Sequence, residues 1–358
     1  MNTRQAALLV AAREIQIKIR DRAFLISTAL FLLIAAAATI LPGILSGDDE
    51  PTTVAVSSAS GNVVAPLTEA GHEVRTVADD AAAEQAVRDG DVGAAVVAGP
   101  TVLALDDTPD DVVRALSTAP PVQLLDPDAI NPVAAFLVPF IFAFVFFLTS
   151  QAFGMPIAQS ITEEKQTRIV EILVAAVPVR ALLAGKVIAG CVLALGQIVL
   201  LSLVTVVGLQ FSGNTELLSL IAPAIGWFLP FFLFGFLLLA AMWAVAGAVV
   251  ARQEDIASSS MPVQMALMVP FFAVVFLNDN PTILKILSYV PFSAPMAMPL
   301  RAFTGDAAAW EPIVSLALLA VAAVAFVLAG ARIYEGSLLR TNGRVGLATA
   351  WRSRENVG

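Results

Sequence analysis

Residues 160–186 read SITEEKQTRIVEILVAAVPVRALLAGK. The stretch lies between two apolar runs, each long enough to cross a membrane, yet it carries Glu163, Glu164, Lys165, Arg168, Glu171, Arg180 and Lys186. So many ionised side chains cannot lie in hydrocarbon, so the segment sits outside the bilayer and the flanking runs are separate crossings. Ser160 followed by Glu163 has capping-box spacing, Glu164 stands one turn before Arg168, and Pro178 closes the segment. Together these predict a helix over 162–177. Ile169, Ile172, Leu173 and Ala176 share one stripe of it, which makes the helix amphipathic. Two readings remain open at this point. One is an ordinary interhelical loop that obeys the positive-inside rule. The other is a helix at the cytoplasmic mouth of a membrane bundle, offering its charged end to a soluble partner.

Composition sets the wider frame. Of 358 residues, 58% are hydrophobic and 14% charged, with a mean hydropathy of +0.84, which is the signature of a polytopic membrane protein. The net charge of -9 is uneven, because about sixteen of the 29 acidic residues fall within residues 46–131. No basic, aromatic-interleaved patch exists outside the juxtamembrane segments, which excludes a nucleic-acid partner. Cys191 and His72 are each the only residue of their type. A disulfide framework and a thiolate metal site are therefore excluded. The P-loop pattern GxxxxGK[ST], nucleophile elbows and zinc signatures are all missing. No catalytic residue, metal ligand or cofactor site is assigned to the chain.

Working outward toward the N-terminus, residues 133–158 form the second crossing and carry Phe140, Phe142, Phe144, Phe146 and Phe147. Residues 46–131 change abruptly to an acidic, soluble composition. Strands are predicted over 53–57, 72–77, 93–98 and 102–105, with helices over 81–88 and 109–119, giving a small α/β domain. Asp106, Asp107, Asp110 and Asp111 form its densest acidic cluster, but the spaced oxygens of a calcium loop are absent. Residues 23–45 form the first crossing, ending near Pro42 and Gly43. Residues 1–22 are basic, and Leu8, Ala12, Ile15 and Ile19 recur at helical spacing, so this segment reads as an amphipathic helix along the inner membrane surface. A secretory signal fits less well, because the apolar run exceeds the roughly 7–15 residues of a signal core.

Toward the C-terminus, residues 181–209 form the third crossing. Residues 217–250 carry no charge and are too long for one straight crossing, so Pro223 and Pro230 are expected to divide them into an interfacial piece and a span from about residue 226. A fifth crossing fits residues 259–277. Residues 278–309, cut by Pro281, Pro291, Pro295 and Pro299, suit paired re-entrant or interfacial helices. Trp310 opens the last crossing, residues 311–331, and a basic tail follows over 332–358. The fold class is thus an α-helical polytopic membrane protein, with six transmembrane helices and a small extracytoplasmic α/β domain between the first and second. Fifteen of the twenty Lys and Arg fall on the side of the two termini; only Arg75, Arg88, Arg114, Lys285 and Arg301 lie opposite. Both ends are accordingly expected in the cytoplasm of a plasma-membrane protein. No crossing has an ionisable group at its centre, which argues against transport driven by an ion gradient.

Three segments carry a resemblance. AAREIQIKIRDRAFLIST, with Glu14, Arg20, Asp21 and Phe24, resembles the N-terminal elbow of type-2 ABC exporter permeases. EEKQTRIVEILVAAVPVRALLAGK is similar to the coupling segment of that family through Glu164, Lys165, Arg168, Glu171, Leu173, Pro178 and Lys186. YVPFSAPMAMPLRAF resembles its Pro-rich outer loop through Pro291, Ser293, Pro295 and Arg301. The nearest likeness is to the NatB-like branch linked to sodium export. The resemblance implies a separate ABC ATPase subunit that binds ATP and Mg, a second permease copy or paralogue, and a coupling helix over 160–178 that docks on the ATPase. A membrane-anchored sensor or assembly factor, with a ligand-binding external domain, is the alternative.

Overall fold

The computed structural model of the chain describes residues 2–45, 53–99, 101–105, 110–117, 132–213, 215–278, 280–337 and 346–352. They form two units, Met1–Gly43 with Ile130–Gly358, and Ile44–Ala129. Helix α1 (Thr3–Arg20) and helix α2 (Arg22–Leu45) are separated by Asp21 alone. The Asp21 carboxylate accepts from the backbone N–H of Ala23 at 3.0 Å, which starts α2 on a capped end. The face of α1 turned toward protein is not the Leu8, Ala12, Ile15, Ile19 stripe: Ala6, Ala7, Val10 and Ala11 are buried, while Leu8 and Ile19 are exposed. Small residues win that position because α1 lies close against a later helix. A Cβ built on Gly185 there would stand 2.5 Å from Val10.

In the smaller unit, β1 (Thr53–Ser57), α3 (Val64–Glu69), β2 (Glu73–Val77), α4 (Asp80–Arg88), β3 (Ala94–Val97), β4 (Thr101–Leu103) and α5 (Asp110–Leu116) follow in order. The sheet runs β2-β1-β3-β4, parallel except for the β3–β4 pair. Alternation along the central strands sends Val54, Val56, Ala94 and Val96 to one face, against Leu67 and Val112. Ala55 and Ala95 go to the other, against Ala83 and Val87. The result is a sheet covered by helices on both sides. The strands match the predicted ones to within a residue or two, and α3 is the helix the sequence reading omitted. Of the acidic cluster, Asp106 and Asp107 lie outside the described residues, and the side chains of Asp110 and Asp111 are likewise not described.

The larger unit continues with α6 (Pro132–Gln166), α7 (Ile169–Ala176), α8 (Val179–Phe211), α9 (Thr215–Ala248), α10 (Ile256–Ser259) and α11 (Met261–Phe276). Then come α12 (Pro281–Leu287), α13 (Ala294–Phe303), α14 (Glu311–Ser337) and α15 (Leu347–Arg352). Among the described residues, five helices contain stretches long and apolar enough to cross a membrane, in α2, α6, α8, α9 and α14. A sixth is reached only if the residues from Gln253 to Phe276, bent by 42°, count as one span. Helix α9 is the hub: 61% of its most apolar stretch is buried, against none in α2. Rings pack across it, Phe142 on Phe228 with centroids 5.0 Å apart and Phe146 on Phe232 at 5.7 Å. At the far end of the same contact, α6 and α9 approach backbone to backbone. A Cβ on Gly247 would meet the Ala158 carbonyl at 2.4 Å.

Several boundaries differ from the sequence reading. Helix α9 passes unbroken through Pro223 and Pro230, because each proline removes one backbone hydrogen bond while the packed neighbours hold the helix together. Its 34 residues make a rod of about 51 Å. The second crossing does not end near residue 158, and no helix starts at 162. Helix α6 runs through Ser160 to Gln166, so the N–H groups that Ser160 and Glu163 would cap already have intrahelical partners. The chain turns instead at Arg168, whose φ of 58° and ψ of 11° are left-handed. Only then does α7 begin. Helices α12 and α13 are short, as expected for residues 278–309, and α13 is buried from Ala294 to Arg301. The last crossing extends to Ser337 rather than residue 331. Within the tail, α15 folds onto α14, with the Arg332 guanidinium 4.5 Å from the Trp351 ring; Arg340, Arg344 and Arg354 lie outside the described residues.

Candidate functional site

The quoted stretch divides into buried and exposed charges. Lys186 on α8 is buried, and its ammonium donates to Glu164 Oε1 at 2.9 Å, Glu14 Oε1 at 3.1 Å and Ser160 Oγ at 2.6 Å. An ammonium has three N–H groups, and here all three are used. Ser160 and Glu164 are one turn apart on α6 and therefore share a face, while Glu14 comes from α1. Three helices meet at one nitrogen. Glu164 thus binds Lys186 and not Arg168, the pairing the sequence suggested.

Lys165 is the next residue on α6, rotated about 100° around the helix. It is 1% exposed and donates to the backbone carbonyls of Ala248 and Ser337, the last residues of α9 and α14. A cation at two helix C-termini satisfies carbonyls that have no helical partner and opposes both dipoles favourably. Thr162 adds a bond to the Gly247 carbonyl at 3.1 Å. Arg180 on α8 pairs with Glu335 on α14. Side chains from one 27-residue segment therefore tie α1, α6, α8, α9 and α14 together at one end of the bundle.

The remaining predicted residues face outward. Glu163, Arg168 and Glu171 are exposed, together with Ile169 and Ile172, the latter 73% exposed. Val170 of α7 is buried and Val174 packs against the same core; of the predicted stripe, Ile169, Ile172 and Ala176 are exposed and Leu173 is half-buried. The outcome is a surface ridge of mixed charge and apolar side chains at the Arg168 bend. Of the elbow residues, Glu14 joins the buried node, Asp21 caps α2 and pairs with Lys18 at 3.4 Å, and Arg20 is exposed.

The outer-loop residues form a second cluster. Arg301 is 3% exposed, lies 2.5 Å from Glu311 Oε2, and donates to Ser288 Oγ at 2.9 Å and to the Asp306 carbonyl at 2.8 Å. Ser293 bonds the Leu287 carbonyl, and Pro295 fills the space over Gly235 of α9. Pro291 stands at the turn between α12 and α13. Burial, and the negative charge of Glu311 nearby, raise the pKa of the Tyr289 phenol. Among the described residues no group of three or more His, Cys, Asp or Glu is placed to hold a metal. Sequence reasoning missed Ser160 as a lysine ligand, Glu335 and Glu311. For the two glutamates the signal was a charge bordering a long apolar run, which calls for a partner without naming it; Ser160 carried no such signal.

Residues 101–332 match the family described as ABC-2 family transporter protein. The chain belongs to the ABC-2 transporter family. This ABC-2 protein is also 26% identical over 212 residues to "Uncharacterized protein YhaP" of Bacillus subtilis (56% of this chain, 51% of the relative). It is 28% identical over 214 residues to "Uncharacterized protein MJ1024" of Methanocaldococcus jannaschii, with the same coverage. The chain's matched region spans about half the length of these curated relatives. No solved structure matches it. Membership accounts for the polytopic architecture, and the matched region holds both charged clusters apart from Glu14 and Glu335.

Proposed function

We propose that this ABC-2 chain is the membrane-spanning permease of an exporter, powered by ATP that a separate subunit hydrolyses with Mg. The observation that carries the reading is the ridge of Glu163, Arg168 and Glu171, exposed directly beside the buried Lys165 and Lys186 nodes. A force applied at that ridge reaches α6 first. From there, Lys186 passes it to α1 and α8, and Lys165 passes it to α9 and α14. A permease with no nucleotide motif of its own needs such an input. Glu164, Lys165, Lys186 and Arg180 act in this reading as the transmission, and the exposed residues as the contact. Rigid-body motion of packed helices is the mode of transfer.

A second copy or a paralogue completes the pore, both termini and the ridge lie in the cytoplasm, and sodium is the cargo. Sodium is supported by the resemblance of the elbow, coupling and outer-loop segments to the NatB-like branch. Reversing charge with Arg168→Glu and Glu171→Lys together should weaken binding of the ATPase subunit about tenfold, measured by titration in reconstituted vesicles. Membrane insertion should be unaffected, and ATP turnover stimulated by internal sodium should fall in step. Unchanged binding and export in the double variant would remove the ridge from the mechanism.

A further inference from the structure

Between α1, α6 and α8 runs an open groove whose character changes along its length. At one end it is bordered by Glu14, Lys18, Ser160 and Lys186; at the other by Phe153, Ile157 and Leu193. Ser160 and Phe153 are seven residues apart on α6, and Lys186 and Leu193 seven apart on α8, about 10 Å in each case. The two antiparallel walls therefore pass from charged to apolar together. A bundle helix in lipid leaves such a trough to an acyl chain. We propose that this groove binds a phospholipid whose headgroup carries a primary ammonium beside its phosphate.

The charges select that headgroup. On the rim Glu14 and Lys18 carry opposite charges, Lys186 is offset by Glu164, and all three N–H groups of Lys186 are already engaged. The rim therefore offers a carboxylate and a lysine side by side, which suits a headgroup carrying both a cation and an anion. Glu14 is its natural acceptor, because Lys186 engages only one of its oxygens and its side chain is 20% exposed at the groove. Lys18 lies one turn further along the same face of α1 and supplies the cation for the phosphate. Its pairing with Asp21 is long, at 3.4 Å, and only half-buried, and partly exposed pairs of that kind yield readily to a better partner. Ammonium and phosphate on a two-carbon link thus meet a carboxylate and a lysine in matching order, while one acyl chain lies along Phe153, Ile157 and Leu193.

The test uses the full chain in mild detergent, equilibrated with mixed micelles of phosphatidylethanolamine, phosphatidylcholine and phosphatidylglycerol in equal parts, with retained lipid counted by mass spectrometry. Phosphatidylethanolamine should be retained about tenfold over phosphatidylcholine, whose trimethylated nitrogen cannot donate to Glu14. Glu14→Gln should abolish that preference. Leu193→Trp should lower retention of all three lipids by filling the apolar end, and should that variant fail to fold, Lys18→Gln provides the same check at the polar end. Equal retention of the ethanolamine and choline lipids, a preference for phosphatidylglycerol, or retention untouched by both groove variants would each overturn the proposal. No ATPase enters these measurements, so they stand or fall apart from the exporter reading.

Discussion

Lys186 and Arg301, two of the three buried cations described in this bundle, differ in where their partners come from. Lys186 draws on Glu14, 172 residues away, and on Glu164 and Ser160, 22 and 26 residues away. Arg301 draws on Ser288, Asp306 and Glu311, all within 13 residues. The first is a long-range knot that fastens three helices with one point charge. The second is a local brace, where a planar guanidinium pins the α12–α13 hairpin to the start of α14. Removing the knot should separate elements across the bundle; removing the brace should loosen one hairpin. The same chemistry therefore ties distant helices in one place and shapes a single hairpin in the other.

The largest effect is expected at the knot. Lys186→Met leaves two carboxylates facing each other without a cation, and loss of one partner from a buried ionic group costs about 3–5 kcal/mol. Thermal unfolding of the purified protein should show a large drop, and adding Glu14→Gln and Glu164→Gln should restore much of it. A single variant that melts with the wild type would mean the three groups do not share a buried site. A smaller loss is expected at the brace. Arg301→Lys keeps the charge but lacks the fork that reaches Ser288, Asp306 and Glu311 together, for a loss of about 1.5–3 kcal/mol. Limited proteolysis should then cut between α12 and α13 before any other site in the bundle. Cleavage spread evenly over the molecule would erase the distinction between brace and knot. The smallest effect belongs to the bend at Arg168. Arg168→Gly relieves a left-handed backbone worth about 1–2 kcal/mol and loses chain stiffness of about 0.5–1 kcal/mol, so stability should change by under about 1 kcal/mol. Arg168→Val should be clearly worse, since a β-branched residue tolerates that φ poorly. Equal melting of the two variants would show that the bend is not held at that backbone angle.

How much of this could be read in advance depends on the range of the interaction. The strands of the small unit were legible because alternation of Val and Ala along 53–57 and 94–97 is a local property. The short helices between residues 278 and 309 were legible because prolines set their lengths. Prolines misled at Pro223 and Pro230, where the packing of α9 against its neighbouring helices outweighs one missing hydrogen bond each. The capping pattern at Ser160 misled for a related reason: a cap acts only where backbone donors are free, and α6 had already used them. At the candidate site, the sequence singled out Glu14, Glu164, Lys165 and Lys186 but gave no means to tell the buried members from the exposed ones.

By itself, the amino-acid sequence determined that this protein lives in a membrane, that its charges gather between apolar runs, and that an α/β insert interrupts them. Those follow from composition and period, which each segment carries alone. Only the tertiary structure decided that Lys186 closes on Glu14 and Ser160, that Lys165 reaches the ends of α9 and α14, and that Arg168 and Glu171 are left on the surface. A buried charge takes whatever partner the packing of distant helices brings within about 3 Å, and no local pattern encodes that distance.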